Sequence, residues 1–230
     1  MASKVRYKSA KALGAVVLLA SLVVVGLGVA GLLGWFAPAT PPKVKSFSVA
    51  PKLALSVTSK TPSKLLAHSV RPFTPLSVSI PSIGITSVKV TPEGDPNGVL
   101  GVPPIQDGWG WWFGGGLPGA GHGAILLDGH VDWAGYGNGP ARQIWNVVPG
   151  TIAIVHGPSG EQQSYVAVSL QSYLKTALPT IAGQIFSVSG PERLVIVTCG
   201  GSFNFQTGSW NSNVIATFVP VPSPLVAHTS

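Results

Sequence analysis

The chain has 230 residues, 45% of them hydrophobic and only 9% charged, with 29 glycines and 21 prolines. No Gly-X-Y period runs through it, which excludes a collagen-like rod, and the apolar content excludes a wholly disordered chain. The formal charge of +7 is unevenly placed: residues 1–74 hold ten basic residues and no acidic one, whereas residues 75–230 hold four basic against seven acidic. A net −3 on that second part argues against nucleic acid, which needs positive charge on a folded face. The single cysteine, Cys199, excludes an intramolecular disulfide and a multi-cysteine zinc site. No metal or cofactor is expected.

Between Leu13 and Phe36 run 24 residues without a charge. As a helix they would be about 36 Å long, enough to cross a hydrocarbon core of about 30 Å. Lys4, Arg6, Lys8 and Lys11 precede the run, while only Lys43 and Lys45 follow it closely. This bias predicts a basic cytoplasmic tail over residues 1–12, a single-pass anchor over 13–36 and everything later outside the cell membrane. A cleaved signal peptide ending near Ala37-Pro38-Ala39 is the competing reading, but its apolar core is ordinarily shorter than this run. Both readings export the C-terminal part. Residues 37–75, rich in Pro, Ser, Thr and Lys, read as an extended linker.

From Leu76 the texture changes. Residues 76–80 alternate apolar and polar, the mark of a half-buried strand. Residues 123–127, 151–155, 164–170, 193–198 and 213–219 are further strand candidates, and Pro140 opens a short helical turn over 140–145. Many short strands with Gly and Pro punctuation predict a mainly β domain over 76–222, a closed barrel or sandwich, with a tail at 223–230.

Two places carry possible chemistry. Cys199 ends an apolar strand and is followed by Gly200-Gly201, so that backbone leaves room beside the sulfur. A lone cysteine is also an ordinary buried residue, and that reading stands beside the catalytic one. His130 follows a second apolar strand in Asp128-Gly129-His130-Val131-Asp132. A thiolate nucleophile needs such a partner, near in space rather than in sequence. Asp132 either orients His130 or is a solvated turn residue. His122, His156, His68 and His228 read as loop, turn, linker and tail residues. Trp109, Trp111 and Trp112 read as barrel packing or as a wall of a groove.

Gly129-His130-Val131-Asp132 followed by Leu194-Val-Ile-Val-Thr-Cys-Gly-Gly201 resembles a sortase. Ile80–Ile85, Gly101-Val102-Pro103-Pro104, residues 108–112 (notably as in the actinobacterial class E and F groups) and Trp210–Ile215 extend the resemblance over about residues 76–220. It implies an eight-stranded β-barrel with short helices. It also implies cysteine transpeptidation, in which Cys199 attacks an LPXTG-like sorting signal and His130 protonates the departing amine. The thioacyl enzyme is then resolved by an amine acceptor of the cell envelope, such as a peptidoglycan precursor or a pilin lysine. Calcium sites of some sortases use clustered acids, for which Glu93, Asp95 and Asp107 are too sparse.

One departure matters. The family places an Arg on the last strand, and here that position is Asn211. Arg193 lies about 20 Å before Cys199 along an extended strand, too far to replace it. Arg142, in the segment after His130, is a candidate substitute that would touch substrate. Thr198, Gly200 and Trp210 are further candidates for substrate contact by position. Losing a charged oxyanion donor costs about 100- to 1000-fold in rate. Two functions therefore stand: an anchored cysteine transpeptidase, and a sortase-shaped module that only binds peptides.

Overall fold

The computed structural model describes residues 44–49, 71–96 and 100–221. The anchor at 13–36, the basic tail before it, most of the 37–75 linker and the 223–230 tail lie outside the described residues. Among the described residues no helix is long and apolar enough to cross a membrane.

The strands in chain order are β1 (Phe47–Ser48), β2 (Ser77–Ile80), β3 (Ile85–Glu93), β4 (Trp109–Trp112), β5 (Ala124–Gly129), β6 (Asp132–Trp133), β7 (Gly137–Asn138), β8 (Ile152–His156), β9 (Gln162–Leu174), β10 (Arg193–Asn204) and β11 (Ser209–Pro220). Their order is β9-β11-β10-β5-β4-β3-β2-β8, and β8 pairs back onto β9 to close an eight-stranded barrel. Closure leaves each of these strands a partner on both sides, which removes exposed sheet edges. The expected barrel is thus found. β1 adds to the stretch of β9 beyond β8, with Phe47 opposite Leu170 and Phe47 packed on the core, so a piece of the expected linker belongs to the sheet. Most neighbours are antiparallel, but β3–β4 and β5–β10 are parallel.

Alternation along the strands sorts side chains to two faces. Ile125 and Leu127 of β5, Leu194 and Ile196 of β10, and Val214, Ala216 and Phe218 of β11 point into the barrel core. Ala124 and Leu126, Val195 and Val197, and Ile215 form a second apolar cluster on the outer face. Leu178 and Ile185 of the helix α1 (Leu178–Ile185), with Phe186, Tyr173, Trp112 and Leu100, pack against it.

All six expected strand segments are strands here, most of them longer than expected. The turn expected at 140–145 is a 3-10 helix over Pro140–Asn146, with Pro in its first turn. β3, β4 and α1 go beyond those expectations. Trp109 and Trp111 are core residues, and Trp112 packs on the outer cluster.

Candidate active site

The site is built by the parallel pair β5–β10. Gly129 is the register partner of Thr198, and the Thr198 hydroxyl donates to Gly129 O at 2.9 Å. One residue further along each chain stand His130 and Cys199. Parallel strands lie about 4.8 Å apart, so the two residues emerge side by side. His130 and Cys199 are both half-buried, and Cys199 packs against the barrel core.

Around them the frame is aromatic. Trp145 donates its indole N–H to Cys199 O at 3.0 Å, which fixes the backbone of the nucleophile candidate. Trp210 packs edge-on to Trp145, with centroids 5.5 Å apart, and donates to Asp132 Oδ1 at 3.2 Å. Trp133 sets its ring edge-on to His130 at 4.5 Å. It belongs to the β6–β7 hairpin that follows His130 immediately.

Electrostatics ties the pieces together. Burial pushes the Cys199 thiol up, Lys175 opposes this as a charge and as a hydrogen-bond donor, and Asp132 and Asp128 add to the rise. Burial pulls His130 down, and Asp132 opposes that. Asp132 thus acts on both groups. Both shifts favour the uncharged forms, a neutral thiol and a neutral imidazole, at neutral pH. His130 Nε2 is buried without a hydrogen-bond partner among the described residues. Asp128, 5% exposed, is pushed up to about 7 by burial and by the charge of Glu93, with a Gly110 backbone hydrogen bond opposing.

The other expected residues take these places. Thr198 and Trp210 are buried, and their polar atoms are committed to Gly129 O and Asp132. Both hydrogen bonds hold the frame of the site. Gly200 is buried on the inward side, where a Cβ would meet Val214 and Trp145. Asn211 Oδ1 accepts from Ser202 N–H at 2.9 Å and Ser212 O–H at 2.9 Å. It pins the bulge of β10 between Gly200 and Phe203, where Gly201 has a φ of 80° and a Cβ would collide with Asn211. Arg142 stacks its guanidinium on Trp145, 4.7 Å from the ring centroid, and its Nη1 is buried without a partner among the described residues. Arg193 lies at the opposite end of β10. His122 is exposed and bonds Ala120 O, and His156 bonds Ser79 Oγ, both as non-catalytic loop and strand residues would. Among the described residues there is no group of three or more His, Cys, Asp or Glu side chains that could hold a metal ion.

Sequence reasoning missed Lys175, Trp145 and the burial of Asp128. No local pattern points to Lys175, which follows the end of β9 at Leu174 and is brought opposite Asn211 by the pairing of β9 with β11.

No family model matches the chain, and no curated protein matches it in sequence. The fold is similar to that of sortase C1 from Streptococcus suis, at 16% identity and a TM-score of 0.47 over 69% of this chain and 77% of that one. It is similar to sortase A from Corynebacterium diphtheriae, at 15% identity and a TM-score of 0.48 over 80% and 79%. It is also similar to sortase C-1 from Actinomyces oris, at 18% identity and a TM-score of 0.47 over 65% and 76%. The solved structures that this fold is similar to are thus sortases of both the A and C types, and the likeness is one of fold.

Proposed function

We propose that this chain is a sortase-type cysteine transpeptidase held in the cell membrane by residues 13–36, with its N-terminus in the cytoplasm and its barrel outside. Its substrate is an LPXTG-like sorting signal of a secreted protein. The observation that carries the reading is the parallel β5–β10 pairing, whose last rung, Gly129 with Thr198, is followed at once by His130 on one chain segment and Cys199 on the other. A thiol and an imidazole so disposed suit acyl transfer.

The chemistry follows from the two groups. The Cys199 thiol passes its proton to His130, and the thiolate attacks the Thr–Gly carbonyl carbon. The imidazolium returns the proton to the leaving amine, and a thioacyl enzyme remains. An amine acceptor of the envelope, a peptidoglycan precursor or a pilin lysine, then attacks the thioester with His130 as base. Asp132, held by Trp210, favours the charged imidazolium during both transfers.

The full chain in detergent, mixed with a fluorogenic LPXTG peptide or its LAXTG counterpart, tests this by intact-mass spectrometry. A thioacyl adduct is expected on the wild type and is expected to be absent from Cys199→Ala. Peptide binding without an adduct on a folded wild type would overturn the enzyme in favour of a peptide-binding module, the reading that Asn211 in place of an Arg first suggested.

A further inference from the structure

A thiolate nucleophile and the oxyanion it generates both need positive charge close by, and His130, with its charged form disfavoured by burial, supplies little of it at rest. Residues 75–230 hold four basic side chains, Lys89, Arg142, Lys175 and Arg193. Arg193 spends its guanidinium on the carbonyls of Ser187, Ser189 and Pro191 at the far end of the strand. Arg142 lies on Trp145. Lys89 is in β3, opposite Ser77.

Lys175 is placed differently. It follows β9 directly, and its N–H donates to Asn211 O at 2.9 Å, so it stands across from Asn211 on the neighbouring strand. Tyr173, two residues earlier, belongs to the outer apolar cluster and pairs with Asn213, which pairs with Cys199. Alternation puts Lys175 on that same face. Its ammonium donates to Ser209 Oγ at 3.1 Å, which steadies a side chain that would otherwise be mobile. Asn211 itself is neutral, and its oxygen is taken up by the β10 bulge.

We propose that Lys175 is the cationic group of this active site, anchored by Ser209 and presenting its remaining N–H groups to the Cys199 sulfur and to the carbonyl oxygen of the acyl group that the sulfur takes up. The role in acyl transfer rests on the transpeptidase reading above. As the C–S bond forms, the carbonyl π pair moves onto oxygen, and the ammonium donates a hydrogen bond to this oxyanion while keeping its proton. The pair returns as the C–N bond breaks, and the proton on the leaving amine comes from His130. The electrostatics of the thiol agrees: of the charged groups facing the sulfur, Lys175 lowers its pKa while Asp132 and Asp128 raise it, with His130 on the adjoining strand. The charge sits one strand over from Asn211, carried on a longer reach.

The test is alkylation of Cys199 by iodoacetamide across pH, using the full chain in detergent as wild type, Lys175→Met, Lys175→Gln and Lys175→Arg, each checked for its fold by circular dichroism. Loss of the charge is expected to move the alkylation midpoint to higher pH and to slow alkylation at pH 7 about tenfold, with Lys175→Arg restoring most of it. Coincident profiles for wild type and the two neutral variants would overturn the proposal. Alkylation needs no peptide, so absence of a thioacyl adduct bears on the transpeptidase reading, and coincident profiles bear on Lys175.

Discussion

The two ends of the β5–β10 pair are buried alike and bonded differently. At the end where the pairing starts, Glu192 is 5% exposed and its carboxylate accepts from Gly119 N–H at 3.1 Å, Gly121 N–H at 2.6 Å and Tyr165 O–H at 2.7 Å. Arg193 beside it donates to a ring of backbone carbonyls. At the other end Asp128 is also 5% exposed, but its Oδ1 has no hydrogen-bond partner among the described residues, and neither has His130 Nε2. A buried polar group without a partner costs about 1–3 kcal/mol, whereas bonds to a charged group contribute about that much. One end of a single strand pair therefore fixes register and stability. The other end, held by that register, can keep a thiol, an imidazole and a carboxyl away from the states they would choose in water.

Breaking the end that holds Cys199 and His130 should leave the fold standing. On the proposed transpeptidase reading His130→Ala removes the proton carrier, and thioacylation measured by rapid quench should fall about 100- to 10,000-fold. Its unfolding free energy in urea should stay within about 1 kcal/mol of wild type, because His130 Nε2 has no hydrogen-bond partner among the described residues. A large drop in stability would mean that His130 belongs to the frame.

Asp128 sharpens the contrast through pH. Its carboxyl is pushed up to about 7, well above its value in an unfolded chain, so the fold binds this proton more tightly. The resulting stability is fully present below about pH 4 and is lost as pH rises through 7, a change of up to about 4 kcal/mol. Asp128→Asn removes this slope: urea titrations of the variant should lack the decline between pH 4 and 7 that the wild type shows. Because Asp128 also raises the thiol, the variant should alkylate at slightly lower pH. Equal slopes in both proteins would show that Asp128 is ionised throughout.

The barrel was legible because strands such as 193–198 and 123–127 are continuous β-branched or aliphatic runs that only a buried sheet accommodates. β3 was harder to read: its inward residues, Ile85, Val88 and Val90, break strict alternation where Thr86 and Ser87 both face outward. β4 is four residues of Trp and Gly, a pattern with no strand period. α1 spans only Leu178–Ile185 and has Pro in its first turn, too short for a helical repeat to show. Cys199 and His130 stood out because each follows an apolar run, although β10 continues past Cys199 to Asn204 instead of ending there. Lys175 did not, since its place depends on a cross-strand register, β9 against β11, that no local pattern reveals. The same holds for Asp128. Its position beside His130 is plain in the sequence, but its burial comes from β4, where a Cβ at Gly110 would collide with the carboxyl oxygen.

The smallest effect should come from the satisfied end. In Glu192→Gln one oxygen remains to accept from Gly119 and Tyr165, but the new amide N–H groups face Gly121 N–H, a donor against a donor. One charge-assisted bond is lost and the other two weaken, for a cost of about 2 kcal/mol. The loss belongs to the frame, so the urea midpoint should drop while the thioacylation rate per folded molecule and the alkylation profile of Cys199 stay as in the wild type. Glu192 and Thr198 are joined by a rigid strand, and that rigidity decides the outcome. If weakening Glu192 also shifts the alkylation profile, the register is transmitted along β10 and the two ends are one unit. If it does not, each end of the pair sets its own chemistry.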